Sequence, residues 1–166
     1  MISFYVPGMP MTQGSKTAFV IPGRHGRKQR VVVTESTGEE GKCWRAQVRD
    51  AAIAAWGDFR PPLDGPVAVV FRFDVLRPLC HFTAGRVKIL RRSAPAFPTK
   101  RPDVLKWARS VEDSLTSVIY RDDSQIVTEL LLKRYALAWG AQVELYAEPD
   151  DVLQLPECKQ LSLAIR

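Results

Sequence analysis

No stretch of this 166-residue chain stays apolar for the roughly eighteen residues that a membrane span requires, so no transmembrane helix is expected. Its first ten residues lack the basic-then-apolar pattern of a signal peptide, which points to a cytosolic protein. Cysteine and histidine are scarce. Cys43, Cys80 and Cys158 are far apart and odd in number, and only His25 and His81 accompany them. That spacing fits neither a disulfide framework nor a Cys/His zinc site, and the expectation is three reduced cysteines without a role. No repeat or low-complexity segment occurs. What is left is an ordinary globular composition, 46% hydrophobic and 25% charged, in a chain of single-domain size.

Acids are missing from two places. Met1 to Thr34 carries Lys16, Arg24, Arg27, Lys28 and Arg30 with no Asp or Glu. Val75 to Pro102 carries Arg77, Arg86, Lys88, Arg91, Arg92, Lys100 and Arg101, again with none. Stretches so free of acid suit a polyanion, because each phosphate neutralised releases condensed counterions. Two solvated loops would look the same, and the net charge of +6 does not decide between them.

Along the chain, Ile2–Val6 reads as a strand stopped by Pro7-Gly8 and Pro10. Thr12–Arg30 reads as a basic loop, with a hairpin closing at Gly23–Gly26 and a strand at Arg30–Thr34. Lys42–Trp56 shows helical spacing of Trp44, Val48, Ala51, Ala52 and Ala55, ended by Gly57 and Pro61-Pro62. Pro66–Leu76 alternates as a strand. Pro78–Lys100 is a long basic connection, expected to be mobile without its ligand. Asp103–Thr116 reads as a second helix, with Asp103 as its N-cap and Val104, Trp107, Ala108, Val111 and Leu115 as its buried stripe. Ser124–Ala136 and Ala141–Ala147 read as two strands of an antiparallel hairpin. Residues 1–148 form one domain on this reading, and 149–166 a C-terminal tail.

The chemistry concentrates between Lys100 and Val127. Carboxylates stand at the start of the second helix (Asp103), near its end (Glu112, Asp113) and just before a strand (Asp122, Asp123). An Asp-Asp pair facing helix acids is a plausible cage for Mg²⁺, a hard ion that takes oxygen ligands and serves phosphate chemistry. Each piece also has a plain explanation: Asp103 as a cap, Asp122-Asp123 as a turn, Glu112 and Asp113 as solvated helix face. Lys106 and Arg109 beside them either steady a phosphate or make ordinary i,i+3 and i,i+4 ion pairs.

This segment resembles the RusA family of Holliday-junction resolvases, particularly phage-type members. Arg101-Pro102-Asp103 is similar to the family's Lys-Pro-Asp opening, Arg109 stands at a family lysine, and Asp113-Ser114-Leu115 matches Asp-Ala-Leu. Asp122-Asp123-Ser124-Gln125-Ile126 matches Asp-Asp-x-Gln-Val, with the spacing preserved. Val6-Pro7-Gly8-Met9-Pro10 and Gln13-Gly14-Ser15-Lys16 also look like family openings. The resemblance covers most of residues 2–147. It implies an α+β fold, a small mixed β-sheet packed with two main helices and long basic loops, in an intertwined homodimer. It further implies an endodeoxyribonuclease that cuts four-way junctions with Mg²⁺ or Mn²⁺, in a bacterial or phage-infected cell.

One departure matters. The second Asp of the family's Asp-x-Asp-Asn element is Leu105 here, and the Asn is Lys106. Of the three family metal ligands, two map to Asp103 and Asp123 and one is lost. Glu112 lies about 20° from Leu105 around the helix axis but about 10 Å along it, too far to replace it at the same point. A site shifted towards the helix end, drawing on Asp103 or Glu112 with Asp113 and Asp123, is the expectation. Asp122 is a further candidate ligand, and Lys106 and Arg109 are candidate catalytic cations. Lys16, Arg24, Arg27, Lys28, Arg30, Arg86, Lys88, Arg91, Arg92, Lys100 and Arg101 are the candidate DNA contacts. Two alternatives stay open: a branched-DNA binder of this fold whose metal site is disabled by Leu105, and a small domain whose basic loops meet an acidic protein partner.

Overall fold

The computed structural model describes residues 1–13, 16–22, 28–35 and 38–158; for residues 16, 17 and 33–35 it describes the backbone alone. Among these residues the strands are β1 (Ile2–Pro7), β2 (Lys16–Ile21), β3 (Arg30–Glu35), β4 (Val67–Leu76), β5 (Ile126–Ala136) and β6 (Gly140–Tyr146). The helices are α1 (Gly38–Trp56) and α2 (Val104–Leu115). The family expectation of an α+β fold with a mixed sheet holds.

β4 explains the arrangement. Val67, Ala68, Val69, Val70 and Phe71 are all buried, so this strand is apolar on both faces and belongs inside a sheet. It has a neighbour on each side, in the order β1-β6-β4-β5, with β4 and β5 parallel and the other pairs antiparallel. Val67, Val69, Phe71, Phe73 and Val75 face α1 and α2 across the main core, where Trp44, Val48, Trp107, Val111 and Leu115 meet them. Ala68 and Val70 point the other way, onto Tyr146 and Val152. Val152 belongs to a 3₁₀ turn at Pro149–Gln154, so the first part of the expected tail packs on the back of the sheet.

The expected β5–β6 hairpin is corrected by this topology. A link of three residues usually joins paired strands, but here it passes over the end of β4, which separates the two. Neighbouring strands lie about 4.8 Å apart, so three extended residues cover the two spacings. A doubly buried β4 claims the position between them. Its parallel pairing with β5 then requires a crossover, and α2 supplies it.

β2 and β3 form a separate two-stranded ribbon, paired from Lys16↔Glu35 to Ile21↔Arg30. The ribbon is longer than the single expected strand, and the turn expected at Gly23–Gly26 lies outside the described residues. The Pro78–Lys100 connection carries its own order: a 3₁₀ turn at Leu79–His81 and a bridge between Phe82 and Leu90. Asp103 does occupy the N-cap position of α2, but its carboxylate accepts no backbone N–H, which corrects the capping role expected of it.

Phe71→Ala is expected to lower the urea-unfolding free energy by about 3–5 kcal/mol, since it empties a fully buried site. Phe59→Ala, at a residue 99% exposed, is expected to stay within about 0.5 kcal/mol of wild type in the same assay.

Candidate active site

The segments just ahead of β4 and β5 are tied together by one side-chain amide. Gln125 Nε2 donates to the carbonyls of Leu63 (3.1 Å) and Gly65 (2.7 Å), just ahead of β4. Its Oε1 accepts from the N–H groups of Arg121 (2.7 Å) and Asp122 (3.0 Å). All the common bonding positions of an amide are thereby used. The clip joins the starts of the two parallel strands and fixes the loop that carries Asp122 and Asp123. Asp122 spends its carboxylate on that loop, accepting Ser124 N–H at 3.0 Å, and these bonds with Ser124 hold its pKa below the usual range.

Asp123 lies close enough to the end of α2 for its charge to act on Glu112. There Glu112 is half-buried, and its pKa is pushed up to about 8. Burial is the largest cause, followed by a hydrogen bond with Glu129 and then by the charges of Glu129, Asp123 and Asp113. The same four carboxyls, after burial, raise the pKa of Tyr120, whose hydroxyl donates to the Glu112 carbonyl at 2.9 Å. Glu112, Asp113, Asp123 and Glu129 thus form one acidic cluster around Tyr120 at the C-terminal end of α2. Gln13 joins it from the first basic loop: its amide donates to Asp113, and its backbone N–H donates to the Lys106 carbonyl at 3.3 Å.

Asp103 is not in this group. It starts the helix that Glu112 and Asp113 finish, and the ten residues from Asp103 to Asp113 span about 15 Å. At its own end it faces cations. Lys106 lies 3.7 Å away, both partners exposed, so that lysine pairs backwards along the helix. Lys133 on β5 donates to the carbonyls of Lys100 and Pro102 and lies 5.0 Å from the Trp107 ring centroid. Partial burial lowers the Lys133 pKa and the Asp103 charge opposes that. Arg109 is exposed on the face between the two ends, as is Leu105, which is 61% exposed where the family pattern has an acid.

Lys28, Arg30, Arg86, Lys88, Arg91, Arg92, Lys100 and Arg101 are all exposed. Arg24 and Arg27 lie outside the described residues, and for Lys16 only the backbone is described. Glu129 and Lys133 were not singled out from sequence. A signal existed: both occupy the odd positions of β5, which alternate with Leu131 and Tyr135 of the main core, so both had to face α2.

With this geometry in view, the matches to known proteins are informative. Residues 18–146 match the family described as Endodeoxyribonuclease RusA. The chain belongs to the RusA family. It is also similar to the "Uncharacterized protein YqaN" of Bacillus subtilis (strain 168), 28% identical over 137 residues, 81% of this chain and 88% of that one. RusA membership makes a divalent metal relevant. The carboxylate oxygens of Glu112, Asp113, Asp123 and Glu129 are donors of the kind such an ion takes. As the side chains stand, no three acidic, cysteine or histidine groups among the described residues converge closely enough to hold an ion.

The raised Glu112 pKa has a stability consequence. Between the ordinary glutamate value near 4.5 and about 8, the folded protein holds a proton that the unfolded chain has lost. The thermal midpoint in EDTA is therefore expected to fall as pH rises across that window. Glu112→Gln is expected to flatten this part of the profile; a fall of the same size in the variant would assign it elsewhere.

Proposed function

We propose that this RusA-family protein is a structure-selective endodeoxyribonuclease that resolves Holliday junctions and other branched DNA by divalent-metal-dependent hydrolysis. The reading is supported by one observation above others. Acids from a helix end (Glu112, Asp113), a loop (Asp123) and a strand (Glu129) lie within electrostatic reach of one another and of Tyr120, in the segment that carries the family's Asp-Asp-x-Gln motif. In this proposal those four side chains hold the metal, with Asp103 and Asp122 outside its first sphere. When bound, Mg²⁺ or Mn²⁺ supplies Lewis-acid polarisation of a phosphodiester and a water acidified towards neutrality. Arg109, exposed beside the cluster, holds a phosphate oxygen, and Lys106 with Lys100 and Arg101 holds the next part of the same strand. Gln125 acts as a positioning residue, keeping Asp123 in place. Symmetrical nicking of a two-fold junction needs two such sites, so the working form is a homodimer.

A second reading has its own support. Leu105 removes a family ligand, and the acids are not converged, which suits a binder of branched DNA that does not cut.

The deciding experiment is incubation of a labelled synthetic four-way junction with Mg²⁺ or Mn²⁺. Wild type is expected to nick it, and Asp123→Asn and Glu129→Gln each to slow nicking on the order of 100-fold or more. Full activity in both variants would exclude this cluster as the site. Selective junction binding with no cut product under either metal would favour the non-catalytic binder. Equal affinity for branched and linear DNA would favour the protein-interaction reading. Binding is also expected to weaken steeply with salt, by about 0.9 in log–log slope for each phosphate contacted.

A further inference from the structure

The connection between β4 and α2 carries a small finger whose surface the catalytic proposal leaves unused. Residues 81–91 form a hairpin held by its own bonds. Thr83 N–H donates to the Ile89 carbonyl at 2.8 Å, and Arg91 N–H donates to the His81 carbonyl at 2.9 Å. The Thr83 hydroxyl adds two more, donating to the Val87 carbonyl at 3.4 Å and accepting from Ile89 N–H at 3.2 Å. Arg91 Nε closes the open end by donating to the Phe82 carbonyl at 2.7 Å.

The base of the finger is fastened to the sheet. The His81 ring stands edge-on to Tyr135 of β5 at 5.3 Å, and the Arg77 guanidinium lies 4.1 Å from the same ring centroid. Arg77 also donates to the Pro95 carbonyl at 3.0 Å, so both ends of the connection are pinned. This is a built projection.

Its outer part is chemically unusual. Val87 is 72% exposed and Ile89 62%, in the run Arg86-Val87-Lys88-Ile89. Two β-branched apolar side chains therefore project into water with cations on either side, and no acid occurs from Val75 to Pro102. An apolar protein surface would leave Arg86 and Lys88 desolvated and unpaired, at a cost in free energy. Branched duplex DNA satisfies both kinds of group. Phosphates take the cations, while the base faces opened at a branch accept apolar side chains, as they do where apolar wedges unstack a base step.

We propose that residues 81–91 are a wedge that enters the branch point of a DNA junction, with Val87 and Ile89 against unstacked bases and Arg86 and Lys88 on the flanking phosphates. The inference rests on the branched-DNA reading above, and it concerns how the branch is recognised, independently of cleavage. The finger leaves the sheet at the end of β4, the same end at which Lys100, Arg101 and Lys106 stand, so one strand can pass from the wedge to the start of α2.

The test uses full-length protein in EDTA, which removes cleavage from the readout. A four-way junction carrying 2-aminopurine beside the branch point reports unstacking, and competition with linear duplex reports selectivity. Wild type is expected to raise the fluorescence and to prefer the junction. Val87→Ser with Ile89→Ser is expected to abolish the rise and cut the preference about 10-fold while linear-duplex affinity stays unchanged. Thr83→Val, which removes the hydroxyl bracing the hairpin but leaves the tip intact, is expected to give an intermediate loss. Wild-type junction preference with no fluorescence rise, or a double variant indistinguishable from wild type, would overturn the wedge alone. A wild type with no preference for the junction would overturn the wedge and the branched-DNA reading together.

Discussion

Burial of β4 on both faces is the constraint from which the rest of the molecule follows. A strand that is apolar at Val67, Ala68, Val69, Val70 and Phe71 cannot sit at an edge, so it takes β6 on one side and β5 on the other. Because β5 runs parallel to it, the chain between them must return to the starting end, and α2 makes that return across the face of both strands. The helix therefore has one end over the starts of β4 and β5 and the other over their finish. Acids collect at the first end, cations and the basic finger at the second. The chemistry is distributed by the topology.

That distribution is costly at the acidic end. Only Glu112 is half-buried there, among the exposed Asp113, Asp123 and Glu129, and its burial together with their charge pushes its pKa up to about 8. Nothing about packing calls for Glu129 there; its face of β5 otherwise carries Leu131 and Tyr135 into the core. Meanwhile the Gln125 amide, with its four hydrogen bonds, fastens the loop that carries Asp123 to the residues just ahead of β4. The charges of Glu129, Asp123 and Asp113 add to burial in raising the Glu112 pKa, and in the proposed function a bound cation would offset them.

Much of this was legible in the sequence, for identifiable reasons. Helical spacing in 42–56 and 104–115 located both helices and most of the α2 stripe, because a single core lies against one side of each. The family motif placed Asp113 and Asp123 on elements that do come together. Pairing partners were not legible, since alternation marks a strand without naming its neighbour, and a three-residue link between β5 and β6 imitates a hairpin. The unbroken apolar run at Val67–Phe71 was the clue to a central strand. Glu129 was hidden for a related reason: its importance depends on which face of β5 meets α2, and that is settled by the parallel register Val69↔Glu129. The motif Gln125 was visible as a letter, but its bonds to Leu63 and Gly65 link residues about sixty positions apart.

The separation of charge along α2 also bears on how metal and DNA would act together. Asp103 and Asp113 mark ends about 15 Å apart, so a DNA strand following the helix passes from a cationic place to an anionic one. Without a cation the acidic end repels phosphate, and the basic end with the finger supplies the attraction. On the proposed function, a bound divalent ion would cancel part of that negative charge and ease the approach of the strand along the helix. Metal and DNA would then strengthen each other's binding by equal factors, as linkage requires. Protons would compete with such a metal for the same oxygens, because burial and the neighbouring carboxyls push the Glu112 pKa up to about 8. On the proposed reading, a site arranged in this way would let a junction be held by its branch before the strand is drawn against the acids, which would order recognition ahead of cutting.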